Sequence, residues 1–379
     1  MSPLVKKITS TIKSHSDRWI PFSIFMEMAL YENGLGYYNS QTVQPFGKTG
    51  DFFTAPTLSS HLGKALVSQW ESLLRGETCD ITELGAGDGS LACTICSEIE
   101  RRGIPLRSYK IYEISSHLKN IQEKTVKNLL SNDMSSHIKW IDSLPPSCSQ
   151  GIVFGNEVID AIPCELLRWT NNQIWRYGIT VDQNDQLMLE WQLLEHSNPD
   201  KLLQQHAYER HNYLKERGSL PYESEVHPQA QLFFEKVAKH LERGILQLID
   251  YGFEESVYYM PSRSCGTLMC HYQHLAHDNL LANIGSQDIS SHVNFSLLAQ
   301  TAHHLGLTLC GYISQGQFLV NLLQSDTSIL DVDTPKDVQS LQILTNPHEM
   351  GELFKIITWE KNLDFDTTSF SVGNRSYRL

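Results

Sequence analysis

The segment Glu83-Leu84-Gly85-Ala86-Gly87-Asp88-Gly89-Ser90 decides the fold, because it joins a predicted strand to a predicted helix. The apolar residues of 80–84 predict a short strand, and those of 90–102 recur at helical spacing. Glycines at 85, 87 and 89 let the backbone turn sharply and approach a ligand without an intervening Cβ atom. The N-terminal amides of the following helix point to the same place. We therefore predict a ligand site at this turn.

The alternation of strand and helix continues on the C-terminal side of this turn. It predicts strands at 109–113, 138–141, 151–155 and 245–250, and helices at 116–130 and 229–241. Such alternation is typical of an α/β fold with a mostly parallel sheet and helices on both faces. The crossovers between its parallel strands are expected to be right-handed.

Two regions depart from this alternation. Residues 4–32 predict two helices and 58–74 a third, so helical elements precede the sheet. Residues 165–170, 174–181 and 186–193 predict consecutive antiparallel strands with Asn-rich turns, and 198–217 predicts a polar helix. We therefore expect an inserted β/α subdomain at about 165–229.

The spacing of the glycines narrows the class of ligand. A dinucleotide fingerprint would place its third glycine at position 90, which is Ser90. Glu83 stands two residues before the first glycine, where it would repel a pyrophosphate but favour a cationic ligand. Glu113 ends the second strand and can accept both hydroxyls of a ribose. This pattern favours S-adenosyl-L-methionine, which carries an ammonium and a sulfonium group; the alternative is a glycine-rich turn beside a solvated glutamate.

A polar and acidic segment, Asn156-Glu157-Val158-Ile159-Asp160-Ala161-Ile162-Pro163, ends the fourth strand, where the transferred methyl group would lie. It is not the Asn/Asp-Pro-Pro-aromatic sequence that holds the amino group of a base or of glutamine. Glu157 and Asp160 instead suit a guanidinium, whose planar fork matches carboxylates. We predict that both are catalytic and that Asn156 borders the cofactor, while Asp160 has the alternative of capping a short helix.

Composition excludes several classes of protein. The 379 residues contain 30 Lys and Arg against 43 Asp and Glu, a net charge of −13, which disfavours broad binding to nucleic-acid phosphates. No run of 18 apolar residues is present, so we expect no membrane insertion. The eight cysteines are scattered, which is typical of a reducing compartment and not of a disulfide scaffold.

Metal binding is not expected. Cys93 and Cys96 form one CxxC pair without a second pair, and we predict that both pack in the core. His271, His274 and His277 recur every three residues, but no carboxylate accompanies them at ligand spacing. Methyl transfer from a sulfonium requires no metal.

Longer motifs in the chain resemble those of one family. They are Phe25-Met26 through Tyr31, Gly36-Tyr37-Tyr38, Gly50-Asp51-Phe52-Phe53-Thr54-Ala55-Pro56, the glycine segment, Asn156 to Pro163, Asp250-Tyr251-Gly252, Gly266-Thr267-Leu268, Gln287-Asp288-Ile289, His292-Val293, Gln315-Gly316 and Met350 to Lys355. In this order they resemble the MidA-like S-adenosylmethionine-dependent methyltransferases, a family that includes a mitochondrial complex I assembly methyltransferase. The resemblance runs from about residue 8 to 360.

The resemblance implies a Rossmann-like class I methyltransferase fold and methylation of protein arginine, with a complex I subunit as a candidate acceptor. In addition to the residues already named, it implies cofactor contacts by Asp51 and Thr54 in a covering loop, and by Ala86 and Ile114. The alternative for the loop is a purely structural crossing. Asp88 stands where the family usually has an arginine, so it should add negative charge beside the cofactor. Asp250 and Tyr251 either line the acceptor pocket or, for Asp250, cap a turn.

We therefore predict helices and a cofactor-covering loop at 1–78, a methyltransferase core at 79–164 and 230–379, and a substrate-recognition subdomain at 165–229. The first hypothesis is a protein arginine methyltransferase. The alternatives are a methyltransferase acting on RNA or a small molecule, and a non-catalytic assembly factor that binds S-adenosylmethionine. Lys6, Lys7 and Lys13 are typical of a transit peptide, but the resemblance begins near Ile8, which favours a bacterial cytoplasmic protein over a mitochondrial one.

Overall fold

The computed structural model describes residues 2–43, 45, 55–76, 79–147, 149–330 and 334–379. Asp51 and Thr54 of the predicted covering loop lie outside these residues. Among the helices of the described ranges, none combines the length and apolar character that a bilayer-spanning segment needs.

The helices and strands follow one another in a mixed order. The helices are α1 Pro3–Ser14, α2 Phe22–Tyr31, α3 Ala55–Leu58, α4 His61–Leu74, α5 Ser90–Arg101, α6 Ser116–Leu129, α7 Asn132–Ser136, α8 Lys201–Glu216, α9 Pro228–His240, α10 Glu255–Tyr258, α11 Phe295–His304, α12 Gln315–Ser325, α13 Pro335–Thr345 and α14 Met350–Leu353. The strands are β1 Trp19–Pro21, β2 Asp80–Leu84, β3 Tyr109–Tyr112, β4 Ile138–Ile141, β5 Ser149–Asn156, β6 Glu165–Trp169, β7 Ile174–Val181, β8 Leu187–Leu193, β9 Tyr222–Val226, β10 Leu241–Phe253, β11 Met269–Tyr272, β12 Leu275–His277, β13 Asp288–Ser290, β14 Val293–Asn294, β15 Thr308–Ser314 and β16 Phe354–Lys361.

The central sheet has the strand order β15-β16-β10-β5-β2-β3-β4. Strands β10, β5, β2, β3 and β4 are parallel to one another, and β16 runs antiparallel between β10 and β15. From β2 the chain continues outward to β3 and β4 on one side, and it then returns to place β5 on the other side of β2. A crevice therefore opens at the carboxyl ends of β2 and β5. The predicted mostly parallel sheet is confirmed, and this crevice contains the glycine turn.

Helices cover both faces of the central sheet, as the sequence predicted. One apolar core packs α4, α5 and α12 against the sheet and includes Trp70, Phe154 and Phe318. The second core packs α9 and α11 against the other face and includes Phe234 and Leu298. Cys93 and Cys96 are buried in the first core, which confirms their predicted packing role.

A second, antiparallel sheet has the order β1-β7-β6-β9, with β8 paired to β7. The predicted antiparallel run at 165–193 is confirmed by the pairing of β6 with β7 and of β7 with β8. Strand β1 was missed, because three residues ending in a proline carry no measurable period. Through β1 and the shared core of Ile8, Phe25 and Ile179, the N-terminal helices pack on this sheet. The predicted domain boundaries stay a prediction.

A small third sheet, β12-β11-β13, lies beside the crevice. His271, His274 and His277 belong to the hairpin of β11 and β12, so their spacing reflects a turn and not a helix face. In the same sheet His271 pairs with Asp288 of β13. This pairing brings a carboxylate from late in the chain to the mouth of the crevice.

Candidate active site

The glycine turn connects β2 directly to α5. Gly85, Gly87 and Gly89 have φ angles of 61°, 54° and 86°, a left-handed conformation that residues with a Cβ atom adopt only under strain. The Gly85 amide donates a hydrogen bond to the carbonyl of Tyr112 at 2.9 Å, which ties the turn to β3. A Cβ atom on Gly85 would lie 3.3 Å from Cγ2 of Val158. The glycines are therefore required by the backbone conformation of this turn.

Asp88 has a local structural role. Its Oδ1 accepts hydrogen bonds from the Ser90 amide at 2.9 Å and from the Ser90 hydroxyl at 2.6 Å. A carboxylate at the N-terminus of α5 also interacts favourably with the helix dipole. Asp88 does add negative charge to the site, as expected from the sequence, but that charge is directed at the start of the helix.

Glu83 lies in β2, and Glu113 directly follows the adjacent strand β3. Glu83 is buried, Tyr109 donates a hydrogen bond to its Oε2 at 2.8 Å, and burial raises its pKa to about 8. Glu113 accepts the Ser115 amide at 2.8 Å and the Gln122 side-chain amide at 2.9 Å. Gln122 also donates to the carbonyl of Gly87 at 3.0 Å, so it holds the Glu113 carboxylate against the glycine turn. Burial raises the pKa of Glu113 as well.

A cavity of about 800 Å³ extends from this turn to the third sheet. Its walls include Gly85, Ala86, Gly87, Ile114 and Asn156, and the side chain of Ile114 is 62% exposed. The acidic residues on the walls are Glu27, Glu83, Asp88, Glu113, Glu157, Asp160 and Asp288. Among the described residues on the walls, none is a lysine or an arginine. The cavity therefore favours cationic ligands at both of its ends.

Glu157 follows β5 in an unusual backbone conformation. Its φ angle is 54°, and its amide donates to the carbonyl of Ile249 at 2.8 Å. Strained non-glycine residues of this kind cluster at functional sites, where the surrounding structure enforces them. The Asn156 side-chain amide donates to Oε1 of Glu157 at 3.1 Å. Burial, with a contribution from the charge of Asp160, raises the pKa of Glu157 to about 8.

Asp160 lies in the same cavity with one of its oxygens unpaired. Tyr251 donates a hydrogen bond to Oδ2 at 2.5 Å, whereas Oδ1 is buried and has no hydrogen-bond partner among the described residues. Burial raises the pKa of Asp160 to about 6. No helix begins directly after Asp160, because the next element of the described chain is β6, so the alternative role as a helix cap is wrong.

Asp250 holds the backbone of residues 158–160 and does not line the cavity. Its Oδ2 accepts the amides of Val158, Ile159 and Asp160 at 3.2, 3.0 and 3.3 Å, and its Oδ1 accepts the amide of Tyr251 at 2.9 Å. The alternative of a capping role is therefore correct for Asp250. Tyr251 does line the cavity, as the other alternative predicted for it.

Several wall residues were not assigned from the sequence. They are Tyr31, Tyr38, Thr267, Asp288, Ser290 and His292. Tyr38 donates a hydrogen bond to Oδ1 of Asp288 at 2.9 Å, and Tyr31 donates to the carbonyl of Ala161 at 2.9 Å. Most of these residues belong to motifs that carried the family resemblance, but a linear motif does not show which cavity its side chains enter.

Comparison with known proteins agrees with this chemistry. A family model of S-adenosyl-L-methionine-dependent methyltransferases matches residues 61–313. The mouse protein named protein arginine methyltransferase NDUFAF7, mitochondrial, is 25% identical and covers 93% of this chain and 83% of its own length. The human protein of the same name is 26% identical, with 93% and 82% covered.

Solved structures extend the agreement to the whole fold. A COG1565 superfamily member from Burkholderia thailandensis, crystallised with S-adenosyl-homocysteine, is 31% identical with a TM-score of 0.87, and 100% of this chain and 99% of that chain are covered. A second structure of a COG1565 superfamily protein from that organism is 30% identical with a TM-score of 0.84, and it covers the same shares.

The residues of the cavity fit S-adenosyl-L-methionine. Its ammonium and sulfonium groups are cations, and the cavity offers carboxylates, a left-handed glycine turn and no lysine or arginine among the described wall residues. The predicted cofactor and the Rossmann-like class I methyltransferase fold are confirmed. The chain belongs to the family of S-adenosyl-L-methionine-dependent methyltransferases.

Proposed function

We propose that this protein methylates an arginine nitrogen of a partner protein. The observation that carries the proposal is the far half of the cavity, where Glu157, Asp160 and Asp288 lie together and where no lysine or arginine is found among the described wall residues. A guanidinium is a planar cation that carboxylates bind with paired hydrogen bonds. The names of the mouse and human relatives, which are protein arginine methyltransferases, support the same acceptor.

On the cofactor side, the backbone of Gly85, Ala86, Gly87 and Gly89 would lie against S-adenosylmethionine. Glu113 would accept the ribose hydroxyls, and the exposed side chain of Ile114 would cover an apolar face of the adenine. Glu83 and Asn156 would lie near the cationic end. Asp51 and Thr54 remain predicted contacts from the covering loop.

On the acceptor side, the chemistry depends on placement. When bound, S-adenosylmethionine supplies an electrophilic methyl group, and the protein must hold a nitrogen in line with it. The unpaired Oδ1 of Asp160 is available for a guanidinium N–H. Glu157, next to the end of β5, would orient the reacting nitrogen and take the proton that this nitrogen loses. Its raised pKa suits it to hold that proton, once the charge of the bound cofactor has displaced the proton that Glu157 carries at neutral pH.

The antiparallel subdomain at 165–229 is the proposed surface for the protein substrate, beside a core at 79–164 and 230–379 and the N-terminal region at 1–78. A subunit of respiratory complex I is the first acceptor to test, because the family resemblance points to it. The subdomain packs against α2, and α2 contributes Ser23, Ile24 and Glu27 to the cavity. A protein bound on this subdomain would therefore lie close to the mouth of the cavity.

The test is transfer of a labelled methyl group from S-adenosylmethionine into an extract of cell protein and RNA. We expect label that a proteinase removes from the acid-insoluble fraction and that a ribonuclease leaves in place, with none in reactions containing Glu157→Gln. Label released by ribonuclease would establish an RNA methyltransferase, and label confined to small molecules would also contradict the proposal. Cofactor binding without any transfer would favour the non-catalytic assembly factor.

A further inference from the structure

We infer that Asp288, held by the hydroxyl of Tyr38, is a second acceptor-binding carboxylate that acts together with Asp160. The inference rests on the proposed arginine acceptor and adds a specificity residue to it. Asp288 comes from β13, more than a hundred residues after the acidic segment that ends β5, so no local motif links the two.

The need for a second carboxylate follows from counting hydrogen bonds. A guanidinium has five N–H donors, and all of them must find acceptors when the group is buried. One oxygen of Asp160 already accepts the Tyr251 hydroxyl, which leaves one oxygen, and Glu157 is assigned to the reacting nitrogen. Paired edge to edge with the guanidinium, two carboxylates meet at most four of its five N–H groups, so a further acceptor in the same cavity would complete the set.

Asp288 meets the requirement for position. It lines the cavity, and its charge is one of those that raise the pKa values of Glu157, Tyr31 and Tyr251, after burial and other nearby carboxylates. It therefore lies on the same cavity wall as Glu157, Asp160 and Tyr251.

The carboxylate of Asp288 is held in the same way as that of Asp160. Each carboxylate accepts a hydrogen bond from a tyrosine hydroxyl that also lines the cavity: Tyr251 donates to Asp160 at 2.5 Å and Tyr38 to Asp288 at 2.9 Å. A tyrosine donor fixes the rotamer of the carboxylate and stabilises its ionised form. Two fixed carboxylates can discriminate a flat, multi-donor cation from the single ammonium of lysine, whose donors converge on one point.

Tyr38 also connects Asp288 to the half of the cavity that contains the glycine turn and Glu113, which is the cofactor half. The Ser115 hydroxyl donates to the carbonyl of Tyr38 at 2.6 Å, and the amide of Ser115 donates to Glu113 at 2.8 Å. Tyr38 is thus a positioning residue whose backbone is fixed by the loop that carries the proposed ribose carboxylate. Its hydroxyl then sets the orientation of Asp288.

The experiment measures binding of N-acetyl-L-argininamide and N-acetyl-L-lysinamide to the full chain saturated with S-adenosylhomocysteine, followed by NMR. The variants are Asp288→Asn, Tyr38→Phe and the matched control Asp278→Asn, an exposed aspartate in the neighbouring segment outside the cavity wall. Loss of a charge-assisted hydrogen bond predicts that Asp288→Asn weakens argininamide binding by about tenfold or more. We expect about threefold weakening for Tyr38→Phe, since the carboxylate remains, and no change for Asp278→Asn.

The outcomes separate this inference from the proposed function. If the unaltered protein binds argininamide no better than lysinamide, the arginine acceptor itself is wrong and the inference falls with it. If the unaltered protein prefers argininamide but Asp288→Asn binds it as tightly as Asp278→Asn, the inference alone is overturned. Equal losses of argininamide and S-adenosylhomocysteine affinity in Asp288→Asn would show a purely structural role and also overturn it. Support is a loss of arginine preference with S-adenosylhomocysteine affinity retained.

Discussion

The two halves of the cavity differ in how far their polar groups are already satisfied. In the cofactor half, both oxygens of Glu113 accept hydrogen bonds from the protein, and Gln122 ties that carboxylate to the glycine turn. In the acceptor half, Oδ1 of Asp160 and the hydroxyl of Ser290 are buried without a hydrogen-bond partner in the described chain. Buried polar atoms are rarely left in this state.

The difference indicates two modes of recognition. The cofactor half is held in shape by neighbouring strands and one short turn, so it is formed before any ligand arrives. The acceptor half keeps a buried carboxylate oxygen of Asp160 without a hydrogen-bond partner in the described chain, so a bound cation would supply a donor that the protein does not. A change in the first half should abolish cofactor binding, whereas a change in the second should leave it intact.

The largest effect is expected for Gly85→Val. Valine would be strained at a φ of 61°, and its side chain would press on Val158 and into the cofactor half. We expect affinity for S-adenosylhomocysteine to fall by about 100-fold or more, measured by calorimetry. The matched control is Gly103→Val, which has the same φ of 61° but open space around its Cβ position. If both variants lose the same affinity, strain and not the site would be the cause.

Glu157→Gln should separate the two halves. The amide cannot take a proton from the acceptor nitrogen, so we expect the rate of methyl transfer to fall by about 100-fold or more. Affinity for S-adenosylhomocysteine should stay within about twofold, because the cofactor half is unchanged. The measurement pairs labelled-methyl transfer with calorimetry, and Glu123→Gln, on the exposed side of α6, is the control. Full activity in Glu157→Gln would remove it from the catalytic residues.

Cofactor binding should release protons near neutral pH. Glu83 and Glu157 have pKa values raised to about 8, so both are largely protonated at pH 7. A bound cation lowers the pKa values of nearby carboxyls, and the protons then leave. We expect the heat of S-adenosylmethionine binding at pH 7 to depend on the ionisation enthalpy of the buffer.

The same dependence should be weaker for S-adenosylhomocysteine, which lacks the sulfonium charge, so that only its ammonium group lowers the pKa values of the carboxyls. Heats that are independent of buffer at pH 7 would mean that these carboxyls are ionised before binding or lie too far from the cation.

The smallest effect is expected for Tyr251→Phe. Removing the hydroxyl leaves Asp160 in place but takes away the donor at 2.5 Å that favours its ionised form. The ring contacts with His292 and Phe354 are kept. We expect kcat/KM for the acceptor to fall about fivefold to tenfold, mainly through KM. Tyr208→Phe, on the exposed surface, is the control, and equal values for the two variants would show that the hydroxyl does not orient Asp160.

The contrast between the two halves of the cavity also explains which of their residues could be predicted from the sequence. The glycine turn, Glu113 and the acidic segment after β5 are local features: each is a few residues at the end of one strand, and the parallel sheet brings strand ends together. The two main sheets could also be predicted in outline, because most of their strands show a clear hydrophobic pattern or are bounded by turn residues.

Only part of the acceptor half could be predicted in this way. Tyr38 and Asp288 come from segments far from the acidic segment after β5, and only the packing of the loop after α2 and of β13 brings them to Asp160 and Tyr251. The motif around Asp250 was recognised, but its carboxylate supports the backbone and only its neighbour Tyr251 faces the cavity. Strand β1 was missed because its pairing with β7 depends on a partner more than 150 residues away.

The most direct test of the central claim is amino-acid analysis of protein labelled by this enzyme with methyl-labelled S-adenosylmethionine. After acid hydrolysis, the account predicts that the label co-migrates with methylated arginine and is absent when Glu157→Gln replaces the unaltered chain. Label recovered as methylated lysine or histidine, or as a volatile product of a methyl ester, would contradict it, because the acidic half of the cavity would then have been assigned to the wrong acceptor.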